Sequence, residues 1–299
     1  MPSAQHELVV QMLAAQPRNP DATVAEMRAG ITQLAQLFPL AADVRAERVD
    51  AGGVPAEWVS VPQSRDDRVM LYLHGGGYVL GSPASHRELA SRIARATQAR
   101  LLVLDYRLAP EHPFPAAADD ALASYRWLLA TGVPATQIVI AGDSAGGGLA
   151  LSTLTAVRDA GQPLPVAGVC LSPWVELEIT DAAIKANAVY DPMVDADGLE
   201  KMGRLYAAGN LRHPRAAPLY ADYNGLPPLL ILVGTRELLL QDARRVAAKA
   251  RAAGVDVKLE EWEGLIHVWP LFGPEMPEGQ QAVARIGEFV RQWFGQTMA

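Results

Sequence analysis

With one cysteine in 299 residues this chain cannot form an intramolecular disulfide, so nothing in it calls for an oxidising compartment. That residue, Cys170, stands inside the apolar run Val166–Leu171, which predicts a small buried core side chain. No apolar stretch approaches the roughly 20 residues that a membrane-spanning helix needs. Residues Met1–Glu7 lack the basic region and following apolar run of a secretory signal, and a cytoplasmic location is the default expectation. Charge of one sign is not concentrated anywhere. The 26 basic and 33 acidic residues, net charge −7, are mixed along the chain, which argues against nucleic acid and anionic membrane as partners. Repeats, low-complexity tracts and a flexible linker are also missing, so one domain spanning 1–299 is expected.

What the chain does have is alternation. Short apolar runs at Val69–Leu73, Leu101–Asp105, Ile138–Ala141, Val166–Leu171, Leu229–Val233 and Val257–Trp262 predict strands. Between and after them lie segments of helical period, Ser85–Thr97, Ala116–Ala130, Ala145–Ala160, Ala243–Ala253 and Gly279–Phe294. The runs are continuously apolar rather than alternating, as a parallel sheet covered on both faces requires. Right-handed crossovers and an open α/β sheet follow. Val44–Val61, turning at Ala51-Gly52-Gly53, reads as an antiparallel hairpin leading into that sheet. Two regions break the pattern: residues 1–40, with helical segments His6–Ala15 and Val24–Leu37, and residues 175–210, too long for one crossover. Both are expected to form a small helical cap over the edge where open α/β sheets bind ligands.

The strongest chemical signal is Gly142-Asp143-Ser144-Ala145-Gly146, set without a gap between a strand and an alanine-rich helix. A serine at such a turn is held at a strained apex with its hydroxyl exposed, beside the positive end of the helix. A glycine-rich turn with an incidental serine is the bland alternative. The second signal, His74-Gly75-Gly76-Gly77, ends the first parallel strand. Acyl transfer to serine builds negative charge on the former carbonyl oxygen, and the amides of Gly76, Gly77 and Ala145 would supply donors for it. A phosphate-cradling loop is disfavoured because no Lys-Ser/Thr pair follows. His74 is read as orienting this loop, not as a base.

A serine hydroxyl needs a base. Of six histidines only His213 and His267 follow Ser144, and His267 alone lies between the last strand and the last helix. The chain order nucleophile, acid, histidine then directs attention to the end of Leu229–Gly234. Glu237 lies at that strand's mouth, whereas Asp242 falls further on, where an acid is commonly a helix-dipole partner. Glu237 is preferred, and Asp242 is the alternative.

Together, His74-Gly75-Gly76-Gly77, Gly142-Asp143-Ser144-Ala145-Gly146-Gly147, Tyr106–Ala116 and Ala217-Pro218-Leu219-Tyr220 resemble the hormone-sensitive-lipase-like family of α/β-hydrolases. The match runs from about residue 70 to 270 in the family's order. It implies an α/β-hydrolase fold with a mostly parallel eight-stranded sheet flanked by helices, a small helical cap, no cofactor or metal, and carboxylesterase activity on short acyl chains. Most relatives carry Asp where this chain has Glu237, which resembles a recognised variant. The role of Tyr106–Ala116, with Glu111 and His112, looks structural. The expected reaction is ester hydrolysis through Ser144, His267 and Glu237, with a small-molecule ester as partner. Lactone hydrolysis or deacetylation of a small metabolite would use the same machinery. A receptor on a decayed hydrolase scaffold, such as the plant gibberellin receptors resemble, would have no need of His267. Oligomeric state is open: a homodimer is compatible with the amphipathic Gly279–Phe294, which equally serves to cover the sheet.

Overall fold

The apolar runs become strands and the periodic segments become helices in the computed structural model, which describes residues 2–15, 19, 21–180, 190–273 and 275–296. The strands are β1 Arg45–Asp50, β2 Pro55–Ser60, β3 Arg65–Leu73, β4 Ala99–Leu104, β5 Ile138–Asp143, β6 Ala167–Leu171, β7 Leu229–Gly234 and β8 Val257–Trp262. Among the described residues the α-helices are α1 Ala4–Ala14, α2 Val24–Gln36, α3 Pro83–Thr97, α4 Ala116–Ala130, α5 Ala145–Asp159, α6 Ala196–Ala207, α7 Leu240–Ala252 and α8 Pro277–Gln296. All eight strands join one sheet in the order β1-β2-β4-β3-β5-β6-β7-β8. The hairpin β1–β2 and its pairing to β4 are antiparallel, and every pairing from β4 to β8 is parallel.

Burial explains the continuous apolar runs. On β3, Val69, Leu71 and Leu73 face the layer of α4, α5 and α7, while Met70 and Tyr72 face α3 and α8. Both sides of the central strands are thus removed from water, at roughly 1.5–3 kcal/mol for each large aliphatic side chain. Cys170 belongs to this core, fully buried.

The differences from expectation lie at element ends. Strand β3 begins at Arg65, four residues early, because its lead Arg65-Asp66-Asp67-Arg68 is too polar to show in hydropathy. Helix α3 begins at Pro83, since Ser82 caps it and proline suits the first helical position. The insertion after β6 carries α6, capped by Asp195, whose side chain accepts from the Gly198 N–H. Residues 181–189 of that expected region lie outside the described residues. Helix α2 has a capping box of Thr23 and Glu26 and no buried side chain, so it rests on the rest of the fold rather than within it.

Candidate active site

Parallel pairing aligns Leu73 with Gly142, which sets the glycine loop after β3 beside the turn after β5. That turn is tight for a steric reason: a Cβ on Gly146 would collide with the Leu73 and His74 carbonyls, and one on Gly142 with the Gly146 carbonyl. Ser144 is forced to φ 54° and ψ −121°, a conformation that L-residues rarely hold. It occupies the N-cap position of α5, yet its side chain makes no capping bond. The hydroxyl is instead 3.0 Å from His267 Nε2.

His267 Nδ1 lies 3.2 Å from Glu237 Oε1. The second oxygen, Oε2, accepts from the Gly234 N–H at 2.9 Å and from the Ser172 hydroxyl at 2.8 Å. Glu237 is fully buried and His267 nearly so. Burial alone would depress the imidazole, but the hydrogen bond and charge of Glu237, aided by the charges of Asp191 and Asp143, raise its pKa above 6.5. Ser144, His267 and Glu237 are thereby brought into one hydrogen-bonded chain. Such a chain can draw a proton from the hydroxyl and hold it on the ring.

The alternatives are elsewhere. Asp242 is buried and accepts from the Val175 and Glu176 N–H groups at 2.9 and 3.1 Å, and from Arg245 at 2.5 Å. Burial pushes its carboxyl up to about 6 against those partners. It holds the start of the insertion against α7. His213 is exposed, its Nδ1 accepting from the Arg215 N–H at 3.2 Å and its ring against Phe114.

The glycine loop is held from three sides. Asp143 Oδ1 accepts from the Gly75 N–H at 3.1 Å and from the Tyr72 hydroxyl at 2.8 Å, and Oδ2 is 3.4 Å from His86 Nε2. Burial opposes charge on Asp143, but the His86 charge and these hydrogen bonds hold its pKa below the usual value. His74 donates from Nδ1 to the Gly75 carbonyl at 2.8 Å and stacks on Tyr106, with centroids 4.3 Å apart. Burial lowers its pKa to about 3, so it is neutral, as an orienting residue should be. Gly76, at φ 116°, accepts from the Val79 and Leu80 N–H groups at 3.1 and 2.8 Å and closes the turn. Gly77 follows at φ 62° against the Met202 side chain of α6.

A cavity of about 190 Å³ opens on Ser144, His267, Gly76 and Gly77. Ile31 of α2 and Leu199 and Met202 of α6 line it from above, with Met193, Val194 and Leu271. The walls are mostly apolar, with Ser144, His267, His86, Asp143 and Asp195 as the polar side chains among them, which suits a small, largely apolar ligand. No group of three or more His, Cys, Asp or Glu that could hold a metal occurs among the described residues, and no helix among them is long and apolar enough to cross a membrane. Three contributors escaped sequence reasoning. Ser172 and Asp191 left only weak signals, a serine just past an apolar strand and an acid before a proline, and His86 left none.

Comparison with known proteins agrees with this fold. Residues 70–271 match the family model described as the alpha/beta hydrolase fold. An acetyl-hydrolase of Streptomyces hygroscopicus is 42% identical over 297 residues, covering 99% of each chain. An esterase of Acinetobacter venetianus is 33% identical, covering 88% of this chain and 87% of its own. Among solved structures, an esterase from the bacterial hormone-sensitive lipase family superposes with TM-score 0.95 at 49% identity, covering 98% of this chain and 99% of that one. EstE5, soaked with p-nitrophenyl butyrate, gives TM-score 0.94 at 44% identity with the same coverage.

Proposed function

The chain belongs to the α/β-hydrolase family, among the bacterial hormone-sensitive-lipase-like serine carboxylesterases, and on that premise we propose that Ser144 is its nucleophile, His267 its base and Glu237 its acid, acting on small short-acyl esters. The observation that carries this reading is the 3.0 Å contact between Ser144 Oγ and His267 Nε2 at the floor of the apolar cavity.

The Ser144 oxygen attacks the ester carbonyl carbon as its proton passes to His267 Nε2, and the carbonyl electron pair moves onto oxygen. The amides of Gly76, Gly77 and Ala145 are assigned as donors to that oxyanion; Gly76 and Gly77 face the cavity, and Ala145 opens helix α5. Collapse re-forms the carbonyl and expels the alcohol oxygen, which takes the proton from Nε2. Water then repeats the sequence on the acyl-enzyme, and the acid leaves. Glu237 orients the ring through Nδ1 and stabilises its charged form; the hydrogen bonds from Gly234 and Ser172 keep that carboxylate aimed.

Residues 1–40 and 175–210 are assigned to the cap, because Ile31 from one and Met193–Met202 from the other roof the same cavity. Short acyl groups suit this small cavity, and the similar acetyl-hydrolase and the p-nitrophenyl butyrate soak of EstE5 support the same reading. Ser144→Ala should lose at least about 10³-fold in turnover of p-nitrophenyl acetate or butyrate. Retention of most of that turnover would disprove the assignment.

A further inference from the structure

The segment Tyr106–Ala116, which resembles a family motif and has no part in the steps above, receives a side chain from the exposed helix α2. Arg28 spreads its guanidinium over two adjacent loops. Its Nε donates to the Val79 carbonyl at 2.9 Å, and Nη2 to the Ala109 carbonyl at 3.0 Å. Nη1 and Nη2 also grip both oxygens of Glu111, at 2.9 and 2.7 Å. Hydrogen bonding to Arg28 holds the Glu111 carboxyl down to about 2, so the pair keeps both charges wherever an esterase would work.

The two carbonyls belong to the framework of the glycine loop. The Val79 N–H closes on Gly76, and the Tyr78 carbonyl accepts from the Ala109 N–H at 2.9 Å. Tyr106 completes the frame, its hydroxyl donating to the His74 carbonyl at 2.7 Å. Arg28 therefore ties the far side of the loop, residues 78–80, just as Asp143 ties its near side at Gly75. One turn further along α2, Ile31 lines the cavity. A helix with no buried side chain has little apolar surface to fix its place, and a planar five-donor fork supplies direction that packing does not.

We propose that Arg28 is a positioning residue: by clamping the Val79 and Ala109 carbonyls it holds the Gly76 and Gly77 amides at the oxyanion position, so that seating of α2 and completion of the donor set are one event. The ion pair with Glu111 is a lesser part, because both side chains are substantially exposed. The proposal rests on the assignment of those glycine amides as oxyanion donors.

The test measures kcat, KM and inhibition by an alkyl trifluoromethyl ketone for the wild type, Arg28→Ala, Arg28→Lys, Glu111→Gln and Ile31→Ala. The ketone accepts the Ser144 oxygen at its carbonyl carbon while the proton moves to His267, leaving an alkoxide where the oxyanion would lie. Arg28→Ala is expected to lower kcat about tenfold and to weaken the ketone by a similar factor. Arg28→Lys, which cannot reach both carbonyls and Glu111 together, should fall between it and the wild type, and decides the matter if the alanine variant does not fold. Glu111→Gln should change both values less than Arg28→Lys does. Ile31→Ala, which removes only the wall, should act on KM more than on kcat. The clamp is overturned if the folded Arg28 variants keep kcat and ketone affinity within twofold of the wild type, or if their loss is confined to KM. Weak ketone binding by the wild type itself would instead refute the donor assignment.

Discussion

The Ser172 hydroxyl sits between the acid and the histidine loop: it donates to Glu237 Oε2 at 2.8 Å and accepts from the Val268 N–H at 3.1 Å. Ser172 is held at φ 46° directly after β6, and its own N–H donates to the Leu232 carbonyl of β7. One small side chain thus sets the distance between the loop bearing Glu237 and the loop bearing His267. Neither contact can be replaced by water without opening a fully buried site.

Replacing Ser172 with alanine should therefore affect both turnover and stability. The Val268 N–H loses its acceptor, which costs about 1–3 kcal/mol for a buried donor. Glu237 loses one of the hydrogen bonds to that oxygen while the Gly234 amide stays, and kcat should drop by about five- to tenfold. Denaturant unfolding and steady-state kinetics on Ser172→Ala check both. Wild-type values for each would show the bridge to be incidental.

The choice of acid predicts two unlike phenotypes. Glu237→Gln keeps the shape but removes the charge that stabilises imidazolium, and should lower kcat by about 10³–10⁴-fold, as loss of the acid does in comparable triads. Asp242→Asn should retain most turnover, because the carboxylate serves the Val175 and Glu176 amides and Arg245. Its effect belongs in the unfolding midpoint. A greater loss of kcat in Asp242→Asn than in Glu237→Gln would reverse the assignment.

Much of this was legible before the structure, for local reasons. The segments around Gly75 and Ser144 are each contiguous with a buried strand, and β3 and β5 pair in a register that brings them together. Chain order alone separated His267 from His213. What stayed hidden depends on contacts between distant parts of the chain. Ser172 meets Glu237 across 65 residues, Asp191 meets Leu238 across 47, and Arg28 meets Val79 across 51. No periodicity records a hydrogen bond of that range. The early start of β3 was hidden for another reason, since exposed charges at a sheet end erase the apolar run that marks a strand.

The environment of His267 fixes the direction of the pH dependence. Its folded pKa lies above 6.5, because Glu237, Asp191 and Asp143 outweigh burial. With His267 as the proposed base, turnover needs the neutral ring, so kcat/KM should rise with pH along a limb whose midpoint lies above 6.5. Stability runs the other way. The extra affinity of the folded state for this proton contributes fully below 6.5 and is lost as pH rises through the folded value. Asp191 also accepts from the Met193, Val194 and Leu238 N–H groups. Asp191→Asn removes its charge and should move the activity limb to lower pH, some stability loss notwithstanding. An unmoved or upward-shifted limb would discard this role for Asp191.

Cys170 gives the sharpest contrast with Ser144. It is fully buried in β6, 3.6 Å from the Gly147 carbonyl, and burial pushes its thiol up to about 12. At neutral pH the reactive thiolate is then only about one part in 10⁵, with no path to a reagent. Ser144, by contrast, lines the cavity with its hydroxyl 3.0 Å from His267 Nε2. Phenylmethylsulfonyl fluoride should abolish activity, whereas iodoacetamide should leave it intact. The thiol should react with Ellman's reagent only after unfolding, at one equivalent per chain. If the native enzyme took up that equivalent and lost activity with it, the nucleophile would have to be sought at the cysteine rather than at Ser144.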